Sequence, residues 1–288
     1  MEKLQAVRGM NDVLPADSSK WEFFEETVTR VARQYGYRNM RAPIVEYTPL
    51  FVRSIGEVTD IVEKEMYSFE DKLNGEKLTL RPELTAGLVR AAVEANLTYN
   101  GPVRIYTLGE VFRHERPQKG RYRQFNQFDV ECFGFDGPDV DAEIMIMTAR
   151  IWRELGIDDV RLEINSLGDV KDRIIYRQKL IRHYEANLSA LDDEAKRRLH
   201  TNPMRILDSK VPAVIEVNRT APNLLDELDE PARAHFKSLQ LLLKEANVHA
   251  VVNPRIVRGM DYYNRTAFEF ITDRFGSPLT VCGGGRYE

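Results

Sequence analysis

The sequence predicts an α+β fold in which an antiparallel β-sheet is flanked by helices and interrupted by a helical insertion. Two pairs of strand-like segments surround turn signals, one at Asn74-Gly75 and the other at Arg116–Gly120. A long amphipathic helix precedes both pairs. A helix-rich, charged stretch from Asp169 to about Ala246 separates them from the last strand-like segments. These observations favour a sheet domain that the helical stretch divides into two parts.

Composition limits the classes of protein to which the chain can belong. Its 288 residues are 43% hydrophobic and 30% charged, with a formal net charge of −4. These values are typical of one large or two ordinary globular domains, and no apolar run is long enough to span a membrane. The first residues also lack the apolar core of a signal peptide. Cys132 and Cys282 form no CxxC pattern and the histidines show no ligand spacing, so we expect a cytoplasmic protein without a disulfide or a protein-held metal.

The first predicted helix extends from Ser18 to Tyr35, with Trp21, Phe24 and Val28 among the apolar residues of one face. Ser19 and Glu22 have the spacing of a capping box, and Gly36 is a suitable C-terminal stop.

A strand is predicted from Met40 to Glu46. Because Pro43 cannot donate a hydrogen bond to a central ladder, this strand should lie at an edge. The pattern leaves two interpretations open, a plain edge strand and a strand at a subunit contact.

A hairpin is predicted from Met66–Phe69 and Lys77–Leu80, followed by a helix from Ala86 to Asn96 with Thr85 as its N-cap. Glu83 lies between the strand and the helix. It is either a carboxylate stabilised by the helix N-terminus or a pocket residue that binds a substrate cation.

The central feature is a second hairpin, from Arg104 to Gly134, with a basic loop. Between residues 113 and 123 five Arg or Lys residues accompany one acid, Glu115, which gives a local charge of +4. Arg113, Glu115 and Phe125 suit a nucleotide, because arginine binds phosphate through two parallel hydrogen bonds and an aromatic ring can stack on a base. The alternatives are a solvated turn and a nucleic-acid contact that recognises only phosphate.

Glu83, Gln127 and Glu131 are polar residues at strand positions where apolar side chains would be expected, which indicates a small-molecule pocket. Gln127, Asp129 and Glu131 share one face of the returning strand. An outward polar face is the alternative, but Phe125 on the same face favours the pocket. The other predicted elements are a turn at Gly137–Asp141, a helix at Ala142–Leu155, and strands at Val160–Asn165, Val248–Val252, Thr266–Ile271 and Leu279–Cys282.

Several segments resemble the histidyl-tRNA synthetase family over the whole chain. Arg113–Phe125 resembles motif 2 of class II aminoacyl-tRNA synthetases in its histidyl form. Arg258–Thr266 and Gly283–Tyr287 resemble the two histidine-specific motifs of that family. Three further segments are similar to family signatures, namely Arg8–Asp12, Leu80–Thr85 and, in the helical insertion, Asn202–Lys210.

The resemblance implies a class II synthetase-like antiparallel sheet, with a catalytic core in residues 1–167, a helical insertion in 168–247 and a return of the core in 248–288. It implies activation of L-histidine by ATP with Mg²⁺, transfer to histidine tRNA, and a homodimer formed through motif 1 around Pro43. Arg113 and Arg258 would grip the α-phosphate as catalytic residues, with Glu115, Arg121 and Phe125 also binding ATP. The histidine would be held by Glu83, Thr85, Gln127, Glu131, Tyr262 and Tyr263, together with the two arginines.

Two residues depart from the family pattern: Leu84 stands where many members have glycine, and Glu288 where they have aspartate. The glycine run at Gly283–Gly285 should lead into further structure. The resemblance implies that the chain is a catalytic-domain fragment, which stops before motif 3 and the anticodon-binding domain of the family. Such a fragment should charge tRNA weakly or not at all. The alternative function is that of a regulatory paralogue, the ATP phosphoribosyltransferase regulatory subunit, although the insertion and the complete basic loop favour the synthetase. An RNA-binding module without chemistry would not explain the pocket acids.

Overall fold

A computed structural model describes residues 4–55, 59, 61–256, 263–274, 276 and 278–287. The chain divides into two compact units, Met1–Asp136 with Ile144–Asp158, and Gly137–Glu143 with Asp159–Glu288. Both units combine helices with β-sheets, and the predicted α+β class is confirmed. Among the described residues, no helix is both long and apolar enough to cross a bilayer.

The first helix of unit 1, α1, extends over Pro15–Gln34, three residues earlier than predicted. Proline is favoured at a helix start because its missing N–H would have no helical partner there. Leu14 is the N-cap and provides no side-chain bond, so the predicted capping box of Ser19 and Glu22 is wrong. Gly36, at φ +83°, follows the C-cap Tyr35 as the sequence predicted.

The predicted strand from Met40 to Glu46 is wrong in extent: only Val45 and Glu46 of it are in a strand, which lies at a sheet edge as predicted. Two short strands, β1 at Arg38–Asn39 and β2 at Val45–Tyr47, flank a connection that contains Pro43. A continuous strand would need a ladder donor at Pro43, which proline lacks. The short helix α2, Thr48–Ile55, follows β2.

The first predicted hairpin is confirmed. Strand β3, Tyr67–Glu70, pairs with β4, Lys77–Leu80, on either side of Gly75, whose φ is +76°. Strand β2 pairs with the other edge of β4, which gives a three-stranded sheet in the order β2-β4-β3. Helix α3, Thr85–Glu94, follows β4.

The central hairpin is also confirmed. Strands β5, Val103–Phe112, and β6, Gln124–Phe133, are paired antiparallel along their whole length, and β1 joins β5 in parallel. Strand alternation divides the apolar residues of β6 between two cores. Phe128, Val130 and Cys132 pack with buried residues of α1, whereas Phe125 and Phe133 pack on the opposite face with Leu84 and Leu88 at the start of α3.

Helix α4, Pro138–Glu154, begins within the segment predicted to be a turn, so that turn prediction is wrong beyond Gly137. In unit 2, strands β7, Val160–Ser166, β8, Ala250–Val252, β9, Tyr263–Thr272, and β10, Leu279–Tyr287, form a sheet in the order β10-β9-β7-β8. In the part of this sheet that the structure describes, only the β7–β8 pairing is parallel.

The stretch between β7 and β8 is helical, as the sequence predicted. Its α-helices are α5, Val170–Ala186, α6, Asp193–Arg198, α7, Pro212–Asn218, and α8, Glu230–Glu245. Their core includes fully buried Tyr176, Leu180 and Tyr184.

Strand β10 continues through the glycine run, where the sequence predicted its end at Cys282. A Cβ on Gly284 would lie 2.9 Å from the ring of Phe268, and a Cβ on Gly285 2.9 Å from the ring of Tyr263. The glycines therefore let β10 lie close to β9.

A buried polar cluster joins β10 to the rest of unit 2. The Asp141 carboxylate accepts hydrogen bonds from Thr266 Oγ1 at 2.6 Å and from the terminal nitrogen of Arg286 at 2.8 Å, and His235 Nε2 lies 2.8 Å from it. Burial alone would raise the pKa of Asp141, but the His235 hydrogen bond and the Arg286 charge outweigh it and lower that pKa.

Candidate active site

Arg113 follows β5 directly and is anchored at two points. Its Nε donates to the carbonyl oxygen of Pro82 at 2.8 Å, and its guanidinium carbon lies 5.3 Å from the centre of the Phe125 ring. Burial lowers the pKa of Arg113, while the nearby acids Glu115, Glu65 and Glu83 act in the opposite direction. The side chain remains charged at neutral pH. Its two terminal nitrogens form no hydrogen bond with any described residue, so they can donate to an anion.

The basic loop is closed by local contacts. The backbones of Gln118 and Arg121 form an isolated bridge around Gly120, whose φ is +79°. Arg121 also forms a 3.0 Å ion pair with Glu115, and Arg123 Nε donates to the Glu115 carbonyl oxygen at 3.1 Å. The Arg121 side chain is 53% exposed, which makes the ion pair readily exchangeable.

The N-terminal segment supports the returning side of this loop. The carbonyl oxygen of Gly9 accepts hydrogen bonds from the backbone N–H groups of Arg123 at 2.7 Å and Gln124 at 3.2 Å. Gly9 has a φ of +86°, and a Cβ there would lie 2.8 Å from Pro117 Cγ. The sequence analysis noted Gly9 only within the Arg8–Asp12 segment that resembles a family signature. No local pattern could predict its contact with residues more than a hundred positions away.

Arg81 is a second supporting residue that the sequence did not assign. Its Nε donates to the Glu110 carbonyl oxygen at 2.7 Å, and a terminal nitrogen donates to the Ala42 carbonyl oxygen at 3.0 Å. A Cβ on Gly109 of β5 would overlap the Arg81 guanidinium, so the glycine makes room for it. Arg81 thus fixes the end of β4, and the Glu83 segment after it, against β5.

Glu83 caps α3 with its side chain. Its two carboxylate oxygens lie 3.0 and 3.3 Å from the backbone nitrogen of Ala86, which donates to them. Thr85, predicted as the N-cap, is instead the first helical residue, and the N-cap Leu84 provides no side-chain bond. Glu83 is 3% exposed. Burial raises its pKa, with the Ala86 hydrogen bond and the Arg113 charge opposing.

Leu84 is 3% exposed and packs with Leu88, Ile105 and Val111. The departure from glycine at this position therefore adds an apolar side chain to the core of unit 1.

One face of β6 carries the predicted pocket residues. Phe125, Gln127, Asp129 and Glu131 alternate onto this face, and Glu131 is 6% exposed. The Thr85 hydroxyl donates to Asp129 Oδ2 at 3.3 Å, which joins the β6 face to the start of α3. Burial, followed by the charge of Glu83, raises the pKa of Asp129 to about 7. The strand period revealed the position of Asp129, but sequence reasoning did not assign it to the site.

The remaining candidates belong to unit 2 or lie outside the described residues. Tyr263 begins β9, is 8% exposed, and packs edge-to-face with Tyr287 at 6.5 Å between ring centres. Arg258 and Tyr262 lie outside the described residues, as does Glu288. The structure brings together Arg113, Glu115, Arg121 and Phe125 around the basic loop, and Glu83, Thr85 and Asp129 beside it.

Mainly antiparallel sheets flanked by helices, with an anchored arginine at a strand end and a basic loop on the next turn, are the fold of class II aminoacyl-tRNA synthetases. A family model described as histidyl-tRNA synthetase matches residues 9–288. The chain therefore belongs to the histidyl-tRNA synthetase family.

Similar proteins agree with this placement. The chain is 59% identical, over all its 288 residues, to the histidine–tRNA ligase of Burkholderia thailandensis, and spans 65% of that protein's length. The crystal structure of apo Staphylococcus aureus histidyl-tRNA synthetase aligns with a TM-score of 0.79 and 36% identity, covering 99% of this chain and 66% of that one. A Bacillus halodurans protein titled ATP phosphoribosyltransferase regulatory subunit/histidyl-tRNA synthetase shares the fold. Its TM-score is 0.71 at 22% identity, with 98% of this chain and 76% of that chain covered.

Proposed function

We propose that this chain forms the histidine-activating part of a histidine–tRNA ligase. The reaction joins L-histidine to ATP, which gives histidyl-adenylate and diphosphate, and then transfers the histidyl group to the 3′ end of histidine tRNA. One observation carries the proposal: a single hairpin presents an anchored arginine with two available terminal nitrogens beside a face of carboxyl and amide groups. A phosphate group and an amino acid can bind there side by side.

ATP, entering with Mg²⁺ as part of the substrate, would bind around the basic loop. Arg113 would donate to the α-phosphate, and Arg258 would be the second cation on it. The adenine would stack on Phe125 and donate its amino group to Glu115, while Arg121 would bind the outer phosphates. Arg121 must leave Glu115 for this, which is inexpensive because an exposed ion pair contributes only about 0–1 kcal/mol. Catalysis would be electrostatic, since fixed cations stabilise the charge that develops as the histidine carboxylate attacks.

Histidine would bind through both of its polar ends. Glu83, Thr85 and Gln127 would hold the ammonium group, and Glu131, Tyr262 and Tyr263 would recognise the imidazole nitrogens. A site that pairs both ring nitrogens rejects isosteres that lack them, because buried polar groups would then be left without partners.

The wider organisation is part of the same proposal. Residues 1–167 and 248–288 would form the catalytic core around an insertion at 168–247, and the basic loop would meet the tRNA acceptor end. Ile44, Val45 and Tyr47 are 43%, 38% and 54% exposed, which supports a homodimer contact in the Pro43 region. Neither Cys132 nor Cys282 forms a disulfide, which fits a cytoplasmic location.

Histidine-dependent exchange between ATP and labelled diphosphate tests the proposal. It should be measured on this chain and on a polypeptide with the full length of the ligases it resembles. We expect exchange that requires histidine, and charging of histidine tRNA by the longer polypeptide. Histidine binding without exchange in either polypeptide would favour the regulatory paralogue, and absence of histidine binding would refute both functions.

A further inference from the structure

We propose that Asp129 completes the ammonium subsite: together with Glu83 it receives the α-ammonium group of the substrate, which replaces a proton that the two carboxyl groups share in the free protein. The inference rests on the proposed function and deepens it, because it adds a binding residue and a coupled proton to the same site.

Thr85 links the two carboxyl groups. Its hydroxyl donates to Asp129 Oδ2 at 3.3 Å, and the Glu83 carboxylate caps the helix that begins at Thr85 by accepting from Ala86 N at 3.0 Å. Both acids therefore contact the first turn of α3: Glu83 from the segment that precedes the helix, and Asp129 from strand β6.

Asp129 lies on the face of β6 that meets the start of α3 and not on the face that packs against α1. It stands two residues from Gln127 and two from Glu131, whereas Phe128 and Val130 point to the α1 core. Its partner across the hairpin is Thr107, which is 3% exposed. A carboxyl group in the middle of a hairpin, among buried neighbours, requires a partner.

The described residues supply no cation as that partner. Neither Glu83 nor Asp129 forms an ion pair with a described lysine or arginine. Arg90, the cation of α3, is paired with Glu46 and Glu94. The charge that acts on Asp129 is that of Glu83, and Arg113 in turn acts on Glu83.

Glu83 is buried and Asp129 is half-buried, and neither forms an ion pair with a described cation, an arrangement in which the pair holds a proton at neutral pH. Burial and the charge of Glu83 raise the pKa of Asp129 to about 7, in agreement with this. An α-ammonium group has three N–H donors, and Glu83, Asp129 and the amide oxygen of Gln127 are three acceptors. Binding of the ammonium group would therefore ionise both carboxyl groups and release the shared proton to solvent.

Calorimetry of histidine binding to this chain, in buffers of different ionisation enthalpy, measures the protons released. For a pKa of about 7, roughly half a proton should leave Asp129 at pH 7. The Asp129→Asn variant should lack this contribution, and the difference between the two proteins cancels protons released by the imidazole of histidine. Asp136→Asn, which removes an exposed acid just after β6, is the matched control and should release as many protons as the wild type.

The pH dependence of affinity gives a second readout. At pH 8 the Asp129→Asn variant should bind histidine about tenfold more weakly, because a charge-assisted hydrogen bond is lost. At pH 6 only about a tenth of Asp129 is ionised, so the two affinities should nearly converge.

A second ligand separates binding of the ammonium group from binding of the imidazole. Imidazole propionate, which is histidine without its amino group, should show the same proton release with the wild type as with Asp129→Asn. Equal proton release by the two proteins on binding histidine, or a difference between them that imidazole propionate also shows, would overturn the inference and leave the proposed function intact. If histidine does not bind to the wild type at all, both are refuted.

Discussion

Replacement of Arg113 by lysine should slow histidine-dependent diphosphate exchange by about two orders of magnitude. The two terminal nitrogens of Arg113 form no hydrogen bond with a described residue. Its Nε donates to the Pro82 carbonyl oxygen, and its guanidinium lies over the Phe125 ring. A lysine keeps the charge but offers one ammonium nitrogen, which cannot make the two parallel bonds of a guanidinium. Loss of one charge-assisted hydrogen bond, about 1.5–3 kcal/mol, corresponds to roughly a 10–150-fold lower rate. Loss of the Pro82 anchor adds to this through poorer positioning.

The assay is the kcat/KM for ATP in diphosphate exchange. If the arginine stabilises charge that develops in the transition state, kcat should fall more than KM rises. Arg116→Lys is the matched control, because Arg116 belongs to the same loop and is exposed. It should retain nearly full activity. Activity of Arg113→Lys within twofold of wild type would refute the assignment of Arg113 to the α-phosphate.

Three further predictions concern residues that support the site or the fold. Gly9→Ala should weaken ATP binding about tenfold in calorimetry, because the added Cβ strains the backbone and would lie 2.8 Å from Pro117 Cγ beside the loop. The control is Gly36→Ala, which has a similar positive φ but no atom within 4 Å of its added Cβ, so it separates backbone strain from the loop contact. Leu84→Gly should lower the free energy of unfolding by about 3–5 kcal/mol in urea titrations, because it empties a buried site, and a loss below 1 kcal/mol would contradict that packing. The Asp141→Asn substitution should lower the free energy of unfolding by about 3 kcal/mol at pH 7, because it removes the charge that Arg286 and Thr266 contact. Because the folded-state pKa of Asp141 is lowered, its contribution is complete above about pH 4 and is lost as pH falls further, so wild-type and variant stabilities should converge in acid.

The polar face of β6 illustrates how far strand periodicity leads. Alternation alone placed Gln127, Asp129 and Glu131 on one face, and the structure has them there. It did not distinguish which acids interact, because that depends on the Thr85 hydroxyl and on the burial of Glu83, both fixed by the packing of α3 on the hairpin. The proton expected on Asp129 is thus a property of the folded site and has no signal in the order of residues.

The helix caps show a similar limit. Ser19 with Glu22, and Thr85, have the residue types that cap helices, yet α1 begins at Pro15 and α3 is capped by Glu83. The residue that caps a helix is determined by where the backbone becomes helical, which residue type alone does not fix. Similarly, a glycine run usually interrupts a strand, but close approach to Phe268 and Tyr263 allows β10 to include Gly284 and Gly285.

By itself the sequence determined the long helix α1, both hairpins of unit 1, the helical stretch between β7 and β8, and the family, since these depend on local periodicity, turn residues and contiguous motifs. Only the tertiary structure decided that Gly9 holds the basic loop, that Arg81 fixes the Glu83 segment, and that Asp129 contacts the first turn of α3, which Glu83 also contacts. Each of these contacts joins residues that are tens of positions apart or more in the chain. Local patterns cannot encode such pairs, because their proximity results from packing of the whole unit.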